Sequence, residues 1–258
     1  MTSEMFKEHP SLKELVSKLI LTTHVPGRHA ARNALANIEN ARKIKDIDPT
    51  MAAFRALTGI EEAATAIFHA LKKQKYNNAH LLKKERHFHK TAVYPFFQAI
   101  GSLLATFDIR TQIVCDTTKQ HPKLGIHFPD HSNDGALSQE FPLDFEITMN
   151  SELYNFSERI TQLVSERNAK SFCQHSNDLA NVRNKLLYSS HEGVPLAQIT
   201  EDDLDRKEAI IVNFLVIYLL IAQYDKKQSF VQQALDVFVN ILNLSDKICT
   251  QQSHQRVT

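Results

Sequence analysis

Apolar residues recur along this chain at the three- and four-residue intervals of a helix face. The clearest case follows Asp48-Pro49, a capping residue with a proline suited to a first helical turn. Phe54, Leu57, Ile60, Ala64, Ile67, Phe68 and Leu71 then fall on one stripe, which predicts a helix. Ser11-Leu-Lys-Glu14 has the capping-box pattern and predicts the start of a short helix. A second helix is predicted over about 27–45, and a further helical region over about 79–107 with a kink or restart at Pro95.

From 113 to 150 the periodicity lapses. Pro122, Pro129 and Pro142, with Gly125 and Gly135, interrupt any helix, and Phe141–Thr148 has a strand-like pattern. This stretch reads as a long irregular insertion, a loop or a small hairpin, of the kind that often carries function. Helix is predicted to return at Ser151, to break near 171–177 and to reach about Tyr188, where Gly193 and Pro195 end it. Thr200 and Asp203 start a helix expected to run to about Lys227, and its apolar character nearly all round makes it the central one. The last helix, about 229–248, is amphipathic through Val231, Leu235, Phe238 and Leu242, with Ser229 as its candidate N-cap. The polar tail after Thr250 is expected to be disordered.

The expected fold is therefore all-α: a multi-helix bundle with a central apolar helix and one irregular insertion at about 113–150. It reads as one domain over 1–258, with N-terminal helices in 11–108 and C-terminal helices in 151–250. Composition agrees, since 258 residues contain only 6 Gly, 8 Pro and no Trp, which favours long elements over tight turns. Net charge is +1, from 30 basic and 29 acidic residues, so no bulk attraction to nucleic acid or anionic membrane follows. Cys115, Cys173 and Cys249 match no disulfide framework and no metal spacing, and reduced thiols point to the cytoplasm. Met1–Pro10 lacks the apolar core of a secretory leader. The most apolar run, Ala209–Ala222, falls short of the roughly 20 residues a membrane span needs, so no membrane partner is expected.

Three polar residues lie on apolar helix stripes: Glu61, one turn after Leu57; His89, in phase with Val93, Phe96 and Ile100; and Arg183, one turn after Leu179. A buried charge is costly unless paired. Either the three converge in a polar site, with Glu61 and His89 supporting the chemistry of Arg183, or each is satisfied separately. The segment Val182-Arg-Asn-Lys-Leu-Leu-Tyr-Ser-Ser-His191 invites a phosphate reading. The arginine fork suits a phosphodiester, His191 can transfer protons near neutral pH, and Asn184 can orient the pair. On one continuous helix, Arg183 and His191 would stand about 80° and about 12 Å apart. The competing reading is a helix end with an ordinary arginine ion pair and a solvated histidine. Arg167-Asn168 through His175 repeats the spacing, so the pattern is not specific.

The basic run Lys83-Lys-Glu-Arg-His-Phe-His-Lys90 is either a solvated helix face or a track for a nucleic-acid backbone. His87-x-His89 with Glu61, and His127-x-x-x-His131 with His121 and Asp130, are weak metal candidates, because residues two apart on a helix do not share a face and Pro129 interrupts the second set. The expectation is no metal and no cofactor. Phosphate-binding loops, dinucleotide turns and nucleophile elbows have no counterpart in the sequence.

Two segments resemble the HEPN superfamily of helical proteins, and more narrowly its AbiV-like abortive-infection branch. One is Ala56-Leu-Thr-Gly-Ile-Glu-Glu-Ala-Ala-Thr-Ala66; the other runs from Val182 to Pro195, followed by Ile199-Thr-Glu-Asp-Asp203 and an apolar helix. His87-Phe-His-Lys90 is similar to a His-Lys element between them, and the likeness spans about residues 30–225. The resemblance implies a homodimeric helical bundle for phage defence or toxin action, with RNA or the translation machinery as target. It also implies metal-independent endoribonuclease chemistry by Arg183, Asn184 and His191. Seven residues separate Arg183 from His191, more than is usual in the family. The alternative is a non-catalytic helical protein that dimerises and binds a phage or host protein.

Overall fold

A computed structural model describes residues 11–105, 112–116, 122–127, 141–144, 148–149, 152–166, 178, 181–182, 185–188 and 197–255. Its first helix, α1 (Leu12–Ile20), opens with the capping box read from the sequence: Glu14 N–H donates to the Ser11 hydroxyl and Ser11 N–H to the Glu14 carboxylate. Helix α2 (Gly27–Ile44) and the 25-residue α3 (Pro49–Lys73) follow, the latter capped by Asp48 with Pro49 in its first turn. The region predicted as one helix with a restart at Pro95 breaks earlier. A 3-10 turn (Ala79–Leu81) leads to the short α4 (His87–Thr91), and α5 (Val93–Ala105) begins after Ala92. Pro95 is the third residue of α5, where a missing N–H removes no intrahelical bond.

The insertion contains two small antiparallel ladders among its described residues. Strand β1 (Gln112–Asp116) pairs with β2 (Lys123–His127), placing Cys115 opposite Leu124. Strand β3 (Thr148–Met149) pairs with β4 (Glu152–Leu153). That second ladder corrects two expectations. Of the strand read over Phe141–Thr148, residues 141–144 form a turn and Thr148 is in β3, while 145–147 lie outside the described residues; helix returns at Phe156 rather than Ser151. The next elements are α6 (Phe156–Glu166), α7 (Glu201–Ala222) and α8 (Ser229–Gln255). Thr200 and Asp203 start the helix as expected and form a capping box, but α7 stops at Ala222, short of Lys227. The backbone of α8 continues to Gln255, beyond the point where a disordered tail was expected.

The fold is all-α, and α7 is its central helix: Leu204, Ile211, Phe214, Leu215, Tyr218 and Leu219 are among its buried residues. Small side chains let α2, α3 and α7 approach closely. Ala30, Ala31, Ala34 and Ala41 of α2 and Ala52, Ala56, Ala63, Ala64 and Ala66 of α3 are buried. Gly59 sits where the three meet; a methyl group there would lie 2.8 Å from Ile211 Cδ1 and 3.1 Å from the Ala34 carbonyl oxygen. Arg42 of α2 binds Glu201, Asp205 and Glu208 of α7, while Lys13 of α1 reaches Glu208 at 2.6 Å. Edge-to-face aromatic pairs, Phe97–Phe214 and Phe156–Phe230, join α5 to α7 and α6 to α8. No described helix is long and apolar enough to cross a membrane.

The insertion docks by the fully buried Leu124 and by hydrogen bonds. Gln223, just past α7, accepts from Leu124 N–H at 3.0 Å and donates to the Pro122 carbonyl, while the Tyr224 hydroxyl donates to the Leu124 carbonyl. Fully buried Gln228 accepts from Leu143 N–H at 2.7 Å and donates to the Leu220 carbonyl at 2.8 Å. Ser229, the expected N-cap, is instead the first residue of α8; its N–H donates to Asp144 at 2.9 Å. The Ser229 backbone N–H, chiefly, holds the Asp144 carboxyl below its ordinary range, with help from Lys226.

Two outcomes follow. Gly59→Val should lower stability by about 2–3 kcal/mol through overpacking, read from the urea midpoint. Asp144→Ala should cost about 1 kcal/mol at neutral pH as a lost cap. Because the folded-state pKa of Asp144 is depressed, its contribution is complete above its ordinary value of 3.8 and fades as pH falls through the folded value. The difference in stability between wild type and Asp144→Ala should therefore shrink under strong acid.

Candidate functional site

Glu61 lies on α3 where the stripe turns inward, and it is 4% exposed. Burying a carboxylate requires donors, and α4 supplies two. Lys90 Nζ lies 2.8 Å from Glu61 Oε2, and His87 Nδ1 lies 2.8 Å from Oε2 and 3.1 Å from Oε1. Lys90 is itself buried, at 7% exposed, while the His87 side chain is 36% exposed. The pair is thus a buried ion pair with a histidine at its rim. His87 and Lys90 are three residues apart, so the single turn of α4 presents both to one carboxylate.

His89, two residues from His87, points elsewhere: its Nδ1 accepts the Lys83 N–H at 3.2 Å, and the residue is buried. The sequence placed His89 beside Glu61 in a supporting cluster; the described partners of the Glu61 carboxylate are His87 and Lys90. Arg183, Asn184 and His191 lie outside the described residues. Around them, Asp178, Asn181–Val182 and Lys185–Leu187 are helical.

A polar cleft of about 490 Å³ adjoins this cluster in sequence. Its walls include His29 and Asn33 of α2, Glu62, Thr65 and His69 of α3, and Lys84 and Glu85 of the segment leading into α4. Burial, reinforced by the nearby charges of Lys84 and Lys72, pushes the His69 imidazole below its ordinary pKa, which favours the neutral base near pH 7. Lys83, Lys84 and Arg86 are exposed. The sequence reading missed this cleft, although Glu62, Thr65 and His69, at offsets of three and seven, share a helix face. It missed Lys90 as the partner of Glu61, although the same spacing rule sets Lys90 beside His87.

Chemically, a carboxylate accepting from Nδ1 holds a neutral imidazole in the tautomer whose Nε2 carries the lone pair. Lys90 sets a cation 2.8 Å from the Glu61 carboxylate. The arrangement can orient a proton-transfer group beside exposed cations that suit a phosphate. Among the described residues, no group of three or more His, Cys, Asp or Glu side chains is arranged to hold a metal ion.

A double-mutant cycle tests the buried pair. Lys90→Met or Glu61→Leu alone should each destabilise by about 3–5 kcal/mol by leaving one buried charge unpaired. In urea unfolding, the combined variant should be less destabilised than the sum by about 1–3 kcal/mol.

No family model matches the chain, and searches of curated proteins and of solved structures gave no match either.

Proposed function

We propose that this chain is a HEPN-like phage-defence or toxin protein that acts on RNA by metal-independent endonucleolytic cleavage. The observation that carries the reading is the Glu61–His87 pair, a buried carboxylate on an exposed-edge histidine, set next to the exposed cations Lys83, Lys84 and Arg86. Those cations attract the phosphate backbone. In the reading drawn from the family resemblance, Arg183 binds the scissile phosphate, His191 transfers a proton and Asn184 orients the pair. His87, fixed by Glu61, is the second proton-handling group, giving the acid and base that attack of a 2′-hydroxyl on its own phosphate requires.

Incubation of the purified protein with total RNA tests this. Cleavage should persist in chelator, disappear in Arg183→Ala and His191→Ala, and fall at least tenfold in His87→Ala, with helical circular dichroism unchanged. Intact RNA after treatment with correctly folded wild-type protein overturns the reading.

One observation favours a second reading. Val182, Leu187 and Tyr188 are exposed, Tyr188 at 68%. On this view the helical segment is a contact face of a non-catalytic protein that dimerises or binds a phage or host protein. Intact RNA, together with a dimer that Tyr188→Glu converts to monomer in sedimentation, carries this reading instead.

A further inference from the structure

A cavity of about 270 Å³ lies among α3, α5, α7 and α8, well away in chemistry from the polar cleft. Ile67, Phe68, Phe97, Ile217 and Phe238 are among its walls, and every lining residue is apolar. A cavity lined by carbon offers water no hydrogen-bond partner, so an apolar occupant is favoured over a hydrated one.

The cause of the void is visible in α5. Val93, Phe96, Phe97, Ile100, Gly101 and Leu104 form the stripe that faces the cavity, following helical periodicity. Five of the six carry large apolar side chains. The exception, Gly101, falls between Phe97 and Leu104, where the pattern calls for another large apolar residue. A Cβ built on Gly101 meets no atom within 4 Å beyond its chain neighbours and its own helix backbone, and the residue is exposed. The glycine therefore avoids no clash. Its helix penalty relative to alanine is not offset by any close approach. This contrasts with Gly59 and Gly27, where a Cβ would lie 2.8 Å from Ile211 and 2.9 Å from the Tyr218 hydroxyl oxygen. At Gly101 the missing side chain both enlarges the cavity and opens it to solvent.

We infer that this cavity is a binding site for a single unbranched hydrocarbon chain, the tail of a medium-chain amphiphile, entering past Gly101. The space is nearly twice that of an apolar cavity of about 150 Å³ that takes benzene, which suits a chain of about eight to ten carbons. The walls hold no charged or hydrogen-bonding side chain, so recognition is by length and shape, and the head group remains in water at the mouth. This inference is independent of the RNA reading.

Titration calorimetry with straight-chain fatty acids below their micellar concentrations tests it. Affinity should rise about fourfold per added methylene, as transfer of each group from water predicts, and level off near ten carbons. Butyrate should show no binding, and 1-decanol should bind comparably to decanoate, because the wall reads only the chain. Gly101→Leu should abolish decanoate binding while its thermal midpoint equals or exceeds that of the wild type. Absence of decanoate binding overturns the inference. So does decanoate binding that Gly101→Leu leaves unchanged, or binding of decanoate but not of 1-decanol.

Discussion

The close approach of α2, α3 and α7 is the constraint on which the rest of this structure depends. Helix axes draw together only where side chains are small, and this seam is made of alanines with Gly59 at its tightest point. A seam of such small residues buries little area per residue, so the large apolar side chains work elsewhere. Tyr218 illustrates the division: it is buried against Gly27, and its hydroxyl donates to Thr23 at 2.7 Å, tying α7 to the turn before α2. The charged edge of α7, through Glu201, Asp205 and Glu208, then fixes rotation about the seam by binding Arg42 and Lys13.

Helix α3 connects the two regions of chemical interest. Its Glu61 is turned to α4, and two turns further along the same face Phe68 reaches the apolar cavity. The carboxylate position demands cations from α4, and the single turn of α4 has room for one donating pair, His87 with Lys90. Because the ion pair is buried, its geometry is held tightly; because His87 sits at its rim, an imidazole is presented to solvent in one orientation. The cavity follows a different logic. Its lining is entirely apolar, and Gly101 of α5 stands in that lining where the neighbouring stripe positions carry apolar side chains.

Much of the fold was legible in the residues. The capping box at Ser11–Glu14 and the helix starts at Asp48-Pro49 and Thr200–Asp203 are local chemistry, and all three form as read. The stripe on α3 and the all-round apolarity of α7 are also local, since periodicity is a property of consecutive positions. The errors lie where distant groups intervene. Ser229 looked like an N-cap, but Asp144, 85 residues earlier, supplies the oxygen to its N–H. Helix was expected from Ser151, but Glu152–Leu153 found a partner in Thr148–Met149. The break near Pro95 was placed three residues late because proline is tolerated in a first turn.

For the candidate site, the sequence determined which residues were anomalous. Glu61 on an apolar stripe had to find a partner, and the run from Lys83 to Lys90 contained the cations to provide one. Offsets of three residues within α4 even favoured Lys90 and His87 as a pair. Only the tertiary structure decided that α4 lies against α3 at Glu61, that His89 turns to the Lys83 amide, and that His69 shares a cleft with α2 and Lys84. The physical reason is that periodicity specifies which face of a helix is buried, whereas the choice of partner for that face rests on packing between segments far apart in the chain.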